Sequence, residues 1–107
     1  MSMPVRTESV PLHTDADGVI RVGGTRVPID TVVAAYLQGS TPEQISRDFS
    51  VLNVGDVYTV IGYYLRHRED VDAYLDRRRR EAEELRREIE ESSPQAGLRE
   101  RLQRRLG

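Results

Sequence analysis

A chain of 107 residues, 37% hydrophobic and 32% charged, has room for one modest core and not for several domains. It contains no cysteine, which excludes disulfides, thiolate nucleophiles and cysteine-ligated metal. No apolar run approaches the roughly 20 residues a membrane helix needs, and MSMPVRTESV lacks the apolar middle of a secretory signal. A soluble, cytoplasmic protein without a membrane role is the expectation.

Charge is unevenly distributed. All 16 basic residues are arginine, a side chain whose planar fork of donors suits interfaces. Residues 1–65 carry four arginines (6, 21, 26 and 47) against seven acids (8, 15, 17, 30, 43, 48 and 56), net −3. Residues 66–107 carry twelve arginines and eleven acids. A DNA-gripping body usually shows a basic footprint, because neutralising phosphates supplies most of the affinity. Here the basic surface has to come from Arg47, Arg66 and Arg68, or from the run Arg77–Arg80.

In chain order, residues 1–9 read as a flexible leader. Val10–His13 and Val19–Val22 are short β-prone runs around Thr14-Asp15-Ala16-Asp17-Gly18, a cluster of turn formers, and together they predict a hairpin. Gly23-Gly24-Thr25 then turns the chain into a third extended piece, Arg26–Pro28. The paired glycines suit a position needing positive φ, and no GxxxxGK[ST] pattern surrounds them to suggest a phosphate loop. A first helix is expected from Asp30 to Gln38, with Val32, Val33, Tyr36 and Leu37 on one side and Gly39 as its stop.

Thr41 opens the next helix with a capping box to Gln44, and Pro42 suits its first position. This helix spans about Pro42–Phe49 and carries Ile45 and Phe49 on one face. After Ser50–Asn53, with Asn53 able to cap, a third helix runs from Val54 at least to Arg68. Its apolar stripe is Val54, Val57, Ile61, Tyr64 and Leu65. A short capped helix, a tight connection and a longer helix form a helix-turn-helix pattern. Gly62 lies inside the third helix, where glycine costs about 1 kcal/mol relative to alanine. It is either a tolerated weak point or a place where another backbone, such as a dimer mate, comes close. Of the neighbouring Tyr58, Tyr63 and Tyr64, at least one should anchor a core or an interface.

From Glu69 the composition changes. Residues 69–92 are strong helix formers and predict one long charged helix. Val71, Leu75, Arg78, Ala82, Leu85 and Ile89 recur at threes and fours as a thin stripe. So narrow a seam favours a helix that lies along a partner. Residues 93–107 comprise a linker and LRERLQRRLG, in which Leu98, Leu102 and Leu106 align among arginines. That segment suits docking in a hydrophobic groove or is a frayed terminus, and the repetition of one design in two successive segments favours docking.

Catalysis finds no support. His13 and His67 have no cysteine or spaced carboxylates with which to hold zinc, Asp70 and Asp72 are two residues apart on a helix, and no serine has a nucleophile-elbow context. The fold class expected is mainly α with a β component: an N-terminal β-hairpin, a three-helix helix-turn-helix bundle over 10–68, and a long C-terminal helical arm. Binding, without enzymatic activity, cofactor or metal, is the expected mode of action.

The segment from Gly18 to Leu75 resembles the domain of unknown function 433 family, over about residues 10–75. Gly24-Thr25-Arg26-Val27-Pro28, the junction Gly39–Ile45 and the helix containing Val57 and Tyr63-Tyr64-Leu65 carry the resemblance. It implies a small helix-turn-helix fold, and many members look like antitoxins of bacterial type II toxin–antitoxin pairs whose partner resembles a PIN-like ribonuclease. On that resemblance, Thr41–Arg66 would face operator DNA, with Arg47, Tyr58, Thr59 and Arg66 as the candidate DNA-binding residues. The tail would hold the toxin through Leu75, Arg77, Arg78, Arg79, Arg80, Leu85, Ile89, Leu98, Leu102 and Leu106. The expectation is a homodimeric antitoxin that neutralises its ribonuclease and binds operator DNA. The alternatives are a homodimeric interaction adaptor and a transcription regulator without a toxin partner.

Overall fold

The computed structural model describes residues 2–92 and consists of a two-stranded hairpin followed by four helices, the architecture the sequence predicts. Residues 93–107, with Leu98, Leu102 and Leu106, lie outside the described residues. The chain divides between Arg68 and Glu69 into two units.

Asp15 organises the first unit's hairpin. Strands β1 (Leu12–Thr14) and β2 (Ile20–Val22) pair antiparallel, with Leu12 opposite Val22 and Thr14 opposite Ile20. In the turn between them, Asp15 Oδ1 accepts from the amides of Asp17 and Val19 at 2.9 and 3.0 Å. Asp15 Oδ2 accepts from Arg21 Nε at 2.9 Å. Gly18 has φ +81°, which a side chain would oppose. β1 begins two residues later than the apolar run Val10–His13 implied, and residues 2–10 are exposed without regular structure.

The Gly-Thr-Arg-Val-Pro element folds back on β2. Gly23 takes the positive φ that one of the paired glycines was expected to need, +55°. Thr25 Oγ1 donates to the Val22 carbonyl at 2.6 Å and accepts from the Val27 amide at 3.1 Å. The Val22 amide donates to the Val27 carbonyl, and Pro28 bridges to Arg21, so Arg26–Pro28 lies against β2 as an extended piece. Pro28 then stands as the N-cap of α1 (Ile29–Leu37) in extended conformation. Thus these residues turn the chain from strand to helix.

α1 ends where Gly39 adopts φ +101°, as its position predicted. α2 (Pro42–Asp48) carries the full capping box: Thr41 Oγ1 accepts from the Gln44 amide at 3.1 Å, and Gln44 Oε1 accepts from the Thr41 amide at 2.8 Å. A connection through Phe49–Asn53 leads into α3 (Val54–Arg66), where Asn53 Oδ1 accepts from the Gly55 amide at 2.8 Å. In that connection Ser46 donates to the Leu52 carbonyl, and Leu52 is buried.

The core of this unit comprises Val19 and Val22 from the hairpin, Ile29, Val32 and Val33 from α1, Ile45 and Leu52, and Val57, Val60, Ile61 and Tyr64 from α3. Each such side chain contributes on the order of 1.5–3 kcal/mol by leaving water. Several members of the expected apolar stripes are not in it, and three of them, Leu37, Val54 and Leu65, are exposed. Leu37 at the end of α1 is 57% exposed, and Leu65 on α3 is 47% exposed. On α3 the spacing 57, 60, 61, 64 faces the core, which turns position 65 outward. Tyr64 is the core tyrosine, at 1% exposure, and the Arg68 guanidinium lies over its ring at 5.4 Å.

α3 stops at Arg66 instead of reaching Arg68. His67 leaves the helical region (φ −127°, ψ 39°) while its amide donates to the carbonyls of Tyr63 and Tyr64. Its ring rests on Tyr63 at a centroid distance of 4.3 Å. α4 (Arg68–Ser92) then runs for 25 residues, within one residue at each end of the long helix predicted. No described helix is long and apolar enough to cross a membrane.

Candidate functional site

Two exposed helix faces carry the residues singled out by sequence. The first is the outer face of α3. Tyr58, Gly62 and Arg66 follow one another at intervals of four, and Thr59 lies beside them. Tyr58, Thr59 and Arg66 are exposed, so the structure does bring three of the four candidate DNA-binding residues to one surface. Arg47 is exposed on a different helix, in the last turn of α2.

The chemistry of that surface differs from a groove reader. The Tyr58 hydroxyl donates to Glu43 Oε1 in the first turn of α2. Thr59 donates to the Gly55 carbonyl of its own helix at 3.0 Å. Both hydroxyls are already used within the chain, and the Glu43 carboxylate lies against Tyr58 on this surface. The Tyr58 hydroxyl holds the Glu43 carboxyl below its usual range, which keeps that negative charge in place, and Glu43 in turn raises the Tyr58 hydroxyl.

Val54, Tyr58 and Leu65 give this face an apolar edge, being 40, 52 and 47% exposed, and Val51 precedes them at 66%. Sequence reading assigned Val54 and Leu65 to the core because period alone does not say which of two apolar edges turns inward. Gly62 lies in the middle of the face. A Cβ built there meets nothing within 4 Å.

The second face belongs to α4. Its residues 71, 75, 78, 82, 85 and 89 fall on one line of the helix, as predicted. Val71 is buried and Leu75 and Arg78 are half-buried, whereas Leu85 and Ile89 are 57 and 58% exposed. Arg77–Arg80, a cluster in sequence, is not a cluster in space. Successive residues of a helix are turned by about 100°, so the four side chains leave the helix in different directions, although those of Arg79 and Arg80 converge on one carboxylate. Arg80 pairs with Asp76 at 2.9 Å, Arg79 reaches the same carboxylate at 3.7 Å, and Arg77 lies over the Tyr74 ring at 5.9 Å. Arg78 alone of the four shares the line of Leu85 and Ile89. Among the described residues, no group of three or more His, Cys, Asp or Glu is arranged to hold a metal ion.

A β-hairpin and three packed helices make up the first unit, α4 makes up the described part of the second, and each unit carries an outward helix face. Residues 16–64 match the family model described as Protein of unknown function (DUF433), and this segment is a domain of that family. No curated protein and no solved structure matches the chain significantly.

Proposed function

We propose that the chain is an antitoxin of a bacterial type II pair, with α4 as the arm that binds and blocks a PIN-like ribonuclease. The observation that supports this reading is the condition of α4. Its line of Leu85 and Ile89, each more than half exposed, continues from buried Val71 without any described covering. A helix of this length and charge gains stability by laying such a line into a partner's groove. Arg78 on the same line supplies a forked donor for a carboxylate, the group expected around a nuclease metal centre. Arginine and apolar anchors together are the usual sources of interface affinity.

Operator binding through Arg47, Tyr58, Thr59 and Arg66 is the weaker half of the proposal. Glu43 lies against Tyr58, and the net charge of residues 1–65 is −3. The adaptor reading remains as the alternative, in which the line of α4 pairs with a second copy.

Co-expression with the protein encoded beside this gene tests the reading. Full-length chain should recover that neighbour, and the double variant Leu85→Glu, Ile89→Glu should lose it at least tenfold. Both side chains are exposed, so the variant should keep its helical circular dichroism. Equal recovery by the two chains would remove α4 from toxin binding. Loss of self-association without any neighbour bound would favour the adaptor.

A further inference from the structure

The geometry points to the outer face of α3 as a homodimer interface, in which two copies cross antiparallel at Gly62. This inference is independent of the antitoxin reading and assigns a different partner to the face that held the candidate DNA readers.

Gly62 is the first reason. Glycine inside a helix is destabilising, and the other glycines of unusual position have causes within the chain. Gly18, Gly23 and Gly39 take positive φ, and a Cβ on Gly55 would sit 3.0 Å from the capping Asn53 oxygen. Gly62 has ordinary helical backbone and open space where its Cβ would be. Nothing among the described residues requires it. A backbone from outside the chain does, because a missing side chain lets two helix axes approach below the usual 8–10 Å.

The apolar edge is the second reason. Val54, Tyr58 and Leu65 flank the glycine on an exposed helix, at 40, 52 and 47% exposure. Charge complementarity selects a second copy as the occupant. The N-terminal end of the face is acidic, with Glu43 held against Tyr58, and the C-terminal end carries Arg66 in the last turn of α3. A two-fold axis at Gly62 sets position 58 of one copy opposite position 66 of the other. Arg66 then meets the Tyr58 ring and the Glu43 carboxylate across the interface, and the same contact recurs by symmetry. Such an isologous patch is self-complementary. Arginine on an aromatic face beside a carboxylate is a favourable arrangement. A parallel copy or nucleic acid would instead bring like charges together at the acidic end.

Charge reversal in the full chain tests the inference through sedimentation equilibrium. The wild type should dimerise reversibly. Glu43→Arg and Arg66→Glu should each weaken the dimer at least tenfold, because each places like charges together twice. Mixing the two variants should restore association as a one-to-one heterodimer, which a folding defect in either would not do. Gly62→Gln should also weaken the dimer. A wild type that stays monomeric at about 100 μM, reversals that leave the dimer intact, or a mixture that fails to recover it would overturn the proposal. So would an Arg66→Glu chain that keeps its mass but no longer retards the upstream DNA, since the face would then be a DNA reader.

Discussion

Tyr58 on α3 donates its hydroxyl to the carboxylate of Glu43 in the first turn of α2, joining the two helices on their solvent side while Ile45 and Val57 join them in the core. The bond works in both directions: it holds the Glu43 carboxyl below its ordinary 4.5 and the Tyr58 hydroxyl above its ordinary 10.0.

Its pH dependence follows from those directions. A carboxyl whose folded pKa is lowered contributes stability above its unfolded value and loses it as pH falls through the folded value. A tyrosine raised in the folded state contributes below its unfolded value and loses the contribution as pH rises through the folded value. The bond is therefore fully present between about pH 4.5 and 10. Tyr58→Phe should lower the melting temperature slightly within that window and not below it. Thermal melts of both chains across pH check this, and a difference that persists at pH 2 contradicts it.

Asp15 should set a second acid-sensitive step. Its hydrogen bond with Arg21 leads the causes that lower its pKa, followed by the Val19 amide. The sign is again that of a lowered carboxyl: stability is present above the ordinary 3.8 and is lost as pH falls through the folded value. Asp15→Asn should flatten part of the acid limb of the stability curve. Amide exchange at Val19 should speed up, because an amide oxygen is a poorer acceptor than a carboxylate. Exchange measured by NMR at pH 6 distinguishes this from a global loss, in which core amides would accelerate equally.

Ile45 is fully buried under α3, and Ile45→Ala should destabilise the chain by about 2–5 kcal/mol, the range for deleting a large core aliphatic. Urea unfolding with an unchanged slope is the expected readout. A loss under 1 kcal/mol would mean that the site collapses around the smaller side chain.

Gly62→Ala should stabilise the monomer by about 1 kcal/mol, since the new Cβ enters open space on a helix of ordinary dihedrals. The comparison belongs at low concentration, where association does not contribute. Destabilisation there would mean that the glycine serves the fold of the single chain.

Much of this was legible in local sequence. Thr41, Pro42 and Gln44 form the capping box they spell, because cap and partner are only three residues apart. Asp15 and Gly18 close the hairpin for the same reason. Gly39 takes the positive φ expected of a helix stop. The chain by itself also determined that one long charged helix would follow residue 68, since propensity and spacing agree over many turns.

Tertiary packing decided the rest. Val60 and Leu52 become core residues while Leu37 and Leu65 turn to solvent, because the facing helices choose among apolar positions that periodicity leaves equivalent. Helical rotation disperses Arg77–Arg80. α3 breaks at His67 although no breaker residue stands there, since a backbone departure of one residue leaves no mark in composition. Tyr58 is bound to Glu43, fifteen positions earlier, and only the folding of α2 against α3 brings them within reach. Interactions within one turn are written in neighbouring residues. Those across the core depend on which surfaces meet, and three-dimensional packing alone determines that.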